Sequence, residues 1–182
     1  MSWANGPKRY SPREMYLVLS MTAFLIGMGV SDARADETAV MPPEGSTPVL
    51  ELDADGVQIY VCAAKDGGFE WLFKAPEANL FDSQGHQVGT HFAGPTWKLD
   101  DGSEVVGEVV AKADAPESSG IQWLLLRAKS HQGSGVLSAV AFIRRVETAG
   151  GIAPSTGCDA SHISQQAHMR YSATYQFFST AK

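Results

Sequence analysis

From position 49 onward the chain reads as short apolar runs separated by turn residues. Phe69, Trp71 and Phe73 share one face of an extended segment, and Glu70, Leu72 and Lys74 share the other. Tyr171, Ala173, Tyr175 and Phe177 likewise fall on one face. Alternation of period two marks a strand with one buried side. On this basis strands are predicted over 49–52, 57–63, 69–74, 78–81, 87–92, 96–99, 104–111, 121–128, 136–146 and 170–178. Asp55-Gly56, Asp66-Gly67-Gly68, Ser83-Gln84-Gly85 and Asp101-Gly102 separate them with residues that tolerate positive φ, and are predicted as turns. Segment 121–128 (IQWLLLRA) is apolar on both faces, which predicts a strand covered on both sides. No segment carries a sustained helical stripe; 162–169 alone is predicted as a short helix. Strands and turns in this rhythm predict an all-β fold, a single antiparallel sandwich or barrel-like domain with long loops spanning 49–182.

The N-terminal pattern is different. Lys8, Arg9 and Arg13 precede an apolar run over 15–30, followed by Ala33-Arg34-Ala35 ahead of Asp36. A basic start, an apolar stretch and small residues at a cleavage point predict a signal peptide over 1–35. The run is broken by Gly27 and Gly29 and falls short of the about 20 residues that a spanning helix needs. No Cys lies near the cleavage point, so no lipid anchor is expected. Residues 36–48 are polar and Pro-rich and are expected to form a flexible lead-in arm. No later stretch is long and apolar enough to span a bilayer, so the product is expected to be soluble and exported, periplasmic or secreted.

Composition narrows the function classes. Of 182 residues 44% are hydrophobic, enough for a folded core and too many for a disordered chain. Lys+Arg number 14 against 20 Asp+Glu, a net charge of -6, which argues against a nucleic-acid partner. The two cysteines, Cys62 and Cys158, read as one disulfide in an oxidising compartment. A metal thiolate pair or a reactive nucleophile would be the rivals, but neither Cys stands in a CxxC or beside a His.

Candidate chemistry concentrates in 86–103 (HQVGTHFAGPTWKLDDGS). His86 and His91 lie five apart, on opposite faces of an extended strand, so a shared metal would need a bulge at Gly89. The favoured reading has His91 hydrogen-bonded within a loop packed by Pro95 and Trp97, with no metal. Ala93-Gly94-Pro95-Thr96-Trp97 predicts a tight turn that delivers the indole onto the core. The alternative is a stacking platform for a ring-shaped ligand. Trp71 and Trp123 sit in apolar runs and are expected in the core; Trp97, beside Lys98 and two Asp, is the indole expected to be reachable. Asp100-Asp101-Gly102-Ser103 lacks the donors of a Ca²⁺ loop and is predicted as a β-turn. Glu77 is a candidate partner for Arg144 or Arg145, which as strand neighbours face opposite ways. No GxSxG elbow is present, and Gly133-Ser134-Gly135 lacks the rest of a dinucleotide fingerprint.

Several strings together resemble DUF3455, a family of small exported bacterial and fungal proteins of unknown function. They are 56–62 (GVQIYVC), 71–78 (WLFKAPEA), 91–97 (HFAGPTW) after Gly85, and 121–125 (IQWLL). Asp101-Gly102-Ser103, Val106-Gly107, 133–138 (GSGVLS), 145–151 (RVETAGG) and Pro154 with Cys158 complete the pattern. The resemblance implies export and a shared fold but no reaction, and it places both cysteines inside family-like strings.

The expected function is therefore an exported β domain without enzymatic activity. It would bind a small molecule or an envelope component at a barrel mouth near 86–103, with no cofactor and no metal. The candidate ligand-binding residues are His91, Trp97, Asp101, Glu77 and Arg145. The alternative is an envelope or extracellular hydrolase acting on carbohydrate, with Glu77 and Asp101 as its carboxylates beside the His91–Trp97 loop. A purely structural role in the envelope would leave no site.

Overall fold

The computed structural model describes residues 37–116 and 120–180, so the predicted signal peptide over 1–35 lies outside the described residues. Eight strands follow in order: β1 (Ser46–Lys65), β2 (Gly68–Phe81), β3 (Gln87–Phe92), β4 (Thr96–Leu99), β5 (Glu104–Ala113), β6 (Trp123–Gln132), β7 (Phe142–Gly150) and β8 (Gln166–Thr180). Each pairs antiparallel with the next, and β1 pairs with β8, closing the meander into a barrel. The barrel form of the predicted all-β fold is the one adopted. Closure pairs the first strand with the last, and eight strands enclose a space that side chains fill or that admits one small ligand.

Alternation decides what goes inside. Leu52 and Ala54 of β1, Ala78 and Leu80 of β2, Leu126 of β6 and Ile143 of β7 build the interior. Tyr171, Ala173, Tyr175 and Phe177 of β8 meet them there, as their shared face predicts. Burying each of the larger side chains contributes roughly 1.5–3 kcal/mol. The intervening Glu51, Asp53 and Asp55 on β1, and His168 and Arg170 on β8, are exposed on the outer wall. Apolar inside and charged outside is the inverse of a lipid-embedded barrel. No helix among the described residues is long and apolar enough to cross a membrane.

Ten predicted strands become eight for local reasons. Gly56 does not turn: it runs through β1, where a Cβ would meet the Glu77 carbonyl oxygen at 2.2 Å and the Ala78 Cα at 2.5 Å. The glycine there serves close approach of two backbones, so 49–52 and 57–63 are one strand. β2 is continuous through Pro76 because β3 pairs only with its C-terminal part, from Ala78 to Phe81, leaving the Pro76 edge without a ladder to donate to. Of the segment 136–146, Val136–Ala139 is a 3-10 turn and the strand starts only at Phe142. No helix forms over 162–169: the Cys62 N–H donates to the Gln165 carbonyl and the Ser164 N–H to the Cys62 carbonyl, which ties that backbone to β1.

A second, smaller cluster lies on the outer wall. Within the segment read as a lead-in arm, Val40 is fully buried against Ala113 and Leu125, with Trp123 and Phe142 around them. Segment 121–128 is thus covered on both sides: Leu124 and Leu126 face the interior, Trp123 and Leu125 the outer cluster. Trp71 departs from its expected core place. It is half-buried outside the barrel, where its indole N–H donates to the Thr156 carbonyl at 2.9 Å. Cys62 and Cys158 form a disulfide with an S–S distance of 2.05 Å. The β7–β8 loop is held across one end of the barrel by that bond, by Trp71 and by the Tyr60 hydroxyl, which donates to the Gly151 carbonyl at 2.7 Å.

Candidate functional site: the barrel mouth

β3 and β4 have six and four residues, against 14 and 10 for their outer neighbours β2 and β5. Their hairpin therefore stops short, and the interior opens over it between Phe73 of β2 and Val109 of β5. The hairpin turn is seated by Gly94, whose φ of 105 favours glycine, by the Thr96 hydroxyl donating to the Ala93 carbonyl, and by the Gly107 N–H donating to the Pro95 carbonyl.

Two adjoining chambers with shared walls lie behind this opening. The outer one, about 550 Å³, is bordered by Gln58, Tyr60, Lys112 and Ile152. The inner one, about 160 Å³, is bordered by His91, Trp97, Leu126 and Tyr175. Phe73, Val109, Leu124 and Arg145 wall both. All eight strands contribute, and neither chamber is lined by a carboxylate. Phe73, Val109 and Ile152 remain 56%, 42% and 45% exposed, giving the opening an apolar lip.

The floor of the inner chamber is aromatic. His91 stacks on Trp97, and the Tyr175 ring stands edge-on to both at 5.0 and 5.3 Å. The His91 Nδ1 lies 2.8 Å from the Thr96 carbonyl, an acceptor only, so Nδ1 carries the proton. Burial away from water lowers the His91 pKa from 6.5 to about 3, so the imidazole is neutral at physiological pH. Burial likewise pushes Tyr60, Tyr171 and Tyr175 up, keeping the phenols protonated as hydrogen-bond donors, and the Arg145 charge opposes that shift at all three.

Arg145 is the cation shared by the two chambers. Its strand neighbour Arg144 faces outward, 6% exposed, bonded to Glu37 at 3.0 Å and to Gln176 at 3.1 Å, with Trp123 beneath it. Arg145 faces the chambers, and its Nε and Nη2 donate to the Gln122 carbonyl at 3.2 and 2.7 Å. No carboxylate among the described residues lies within ion-pair distance of it, so the proposed pairing with Glu77 does not form.

Of the five candidates from the sequence, the fold thus brings three together: His91, Trp97 and Arg145. Trp97 is 1% exposed and buried in the floor, not at the surface. Glu77 is exposed on the outer wall, in a groove with Asn79 and Phe92. Asp101 stands in the β4–β5 turn, at the end of β4 away from the opening. One of its oxygens accepts from the Ser103 N–H and hydroxyl, the other from the Val136 N–H. His86 sits apart from His91, 3.3 Å from Asp82 in the β2–β3 turn. Sequence reasoning missed Gln58, Tyr60 and Lys112. For the first two the signal was parity: 52, 54, 56, 58 and 60 share one face of β1.

The match to known proteins follows this geometry without naming a reaction. Residues 42–179 match a family described as a protein of unknown function, DUF3455, and the chain belongs to that family. No curated protein and no solved structure matches it.

Proposed function

We propose that this protein is an exported small-molecule binding module whose ligand enters the barrel over the β3–β4 hairpin and rests on the His91–Trp97–Tyr175 floor. The observation that carries this is the pair of chambers walled by all eight strands, apolar at the lip and floor, with Arg145 at their junction. Concave, mostly apolar sites with a few placed polar groups are the form small-molecule sites take. Export is supported by the Cys62–Cys158 disulfide, which persists in oxidising compartments, together with the residue pattern of 1–35. A carbohydrate hydrolase would need two carboxyl groups facing one cleft, whereas Glu77 and Asp101 stand on different surfaces of the barrel.

The test is binding of the neutral solvatochromic dye Nile red to the full chain produced in an exporting host. A blue-shifted emission that Leu124→Trp abolishes, with the far-ultraviolet circular dichroism unchanged, supports an interior site. Equal emission from wild type and Leu124→Trp overturns it.

A further inference from the structure

We propose that the barrel's ligand is a single-ring aromatic acid, its ring in the inner chamber and its carboxylate against Arg145. This rests on the interior-site reading above and adds the chemical class.

The first support is charge. The chain is acidic overall, yet the charged side chains around the two chambers are Arg145, Lys112 and Lys74. A cationic mouth in an anionic body draws anions to one place. A guanidinium facing a low-dielectric interior is costly unless paired, and Arg144 shows what pairing looks like: a carboxylate and an amide close upon it. Arg145 meets a backbone carbonyl and the Tyr175 hydroxyl, both neutral, which fix its orientation and leave its charge without a counterion among the described residues. A planar guanidinium so held matches a carboxylate.

The second support is an independent buried donor. Gln58 is 2% exposed and lines the outer chamber, and its Nε2, with the Tyr171 hydroxyl beside it, makes no hydrogen bond of good geometry. A buried donor left unmet is destabilising, and an incoming carboxylate oxygen would satisfy it.

The third is size. The inner chamber of about 160 Å³ is lined almost wholly by apolar surface, and an apolar cavity of about 150 Å³ accommodates one benzene. Its floor offers the His91–Trp97 stack and the Tyr175 edge, geometries in which a further aromatic ring packs well. Because Arg145 borders both chambers, a ring seated inside places an acid on a short linker at the guanidinium.

The experiment uses three probes of the same chain length, 3-phenylpropionate, its isostere 3-phenylpropanamide and the cationic 3-phenylpropylamine, titrated calorimetrically at pH 7 into the full chain, its Arg145→Gln and Arg145→Lys variants, and Leu124→Trp. The expected result is that wild type prefers the acid over the amide by about tenfold or more, as a charge-assisted hydrogen bond provides, with the amine weakest. The preference disappears in Arg145→Gln, persists in Arg145→Lys, and all binding is lost in Leu124→Trp. Equal or better binding of the amide or the amine overturns the acid assignment, while the interior site stands if Leu124→Trp still blocks. Failure of all three probes while Nile red binds overturns the single-ring assignment. Failure of the probes and of Nile red together overturns the interior site as well.

Discussion

The His91 imidazole lies flat on the Trp97 indole, ring centroids 4.4 Å apart and planes 15° apart, with both side chains buried. The two residues are direct cross-strand partners in the β3–β4 hairpin, so the stack follows from the register of one short turn. The Thr96 carbonyl then holds Nδ1–H and fixes the ring in its plane. One hairpin thereby supplies both the lowered rim of the barrel and the aromatic floor beneath it.

Neutral burial of His91 has a pH consequence with a defined sign. The unfolded chain takes up the proton near pH 6.5, while the folded chain does not until about pH 3. Above pH 6.5 the group contributes no slope. Below it the unfolded state binds more protons, and stability falls by about 1.4 kcal/mol per pH unit as pH drops through that window. His91→Phe keeps a ring on Trp97 and removes the titration. Urea midpoints measured from pH 7 to pH 4 should therefore fall more steeply for wild type than for His91→Phe, and equal slopes would show that the ring ionises while folded.

Gly56 makes a prediction about the fold. Gly56→Ala drives a methyl group into the Glu77 carbonyl and the Ala78 backbone, and should cost about 3 kcal/mol or prevent folding. Gly67→Ala, in the β1–β2 turn at φ +80 with nothing within 4 Å, should cost about 1 kcal/mol from backbone strain alone. Denaturant midpoints of the two variants order them, and a Gly56→Ala as mild as Gly67→Ala would mean that β1 and β2 do not approach as closely as described.

These two positions also show what could be read from the residues alone. Gly67 follows Asp66 in a dipeptide whose turn chemistry is local, and it turns. Asp55-Gly56 carries the same chemistry, but its conformation is decided by Ala78 on the facing strand, a contact that no local window contains. The inward face of β8 was legible because Tyr171, Ala173, Tyr175 and Phe177 alternate with polar residues. The pairing of the cysteines was legible because only two exist. That Arg144 and Arg145 face opposite ways follows from strand geometry, but which one faces inward depends on the register of β7 with β8, where Arg145 pairs with Tyr175. Trp97 has polar neighbours in sequence and looked reachable for that reason; closure of the barrel around the hairpin is what buries it. Glu77 and Asp101 drew attention as carboxylates near aromatic residues, and sequence proximity carried no information about which side of the wall each would occupy.

The disulfide links the site to stability. It joins cysteines 96 positions apart, and chain-entropy arguments assign such a closure about 4–5 kcal/mol. It also anchors the β7–β8 loop whose Ile152 and Ala153 border the outer chamber. Cys62→Ala/Cys158→Ala should lower the unfolding free energy by about 4 kcal/mol and, in the fraction that remains folded, weaken Nile red binding. Loss of stability without any change in dye affinity would separate the loop from the site.

The consecutive arginines provide a paired control. Arg144→Ala removes a buried guanidinium that bridges Glu37, Gln176 and the Trp123 ring on the outer wall. Because Glu37 is half exposed, the ion pair is screened, and the expected cost is about 2 kcal/mol of unfolding free energy. Arg144 does not border either chamber, so binding of Nile red to the folded variant should match wild type. Arg145→Gln touches no ion pair among the described residues and should shift the urea midpoint less than Arg144→Ala. If Arg144→Ala weakens dye binding while Arg145→Gln takes the larger stability loss, the inward and outward assignments of β7 are exchanged, and the cation at the junction of the chambers with them.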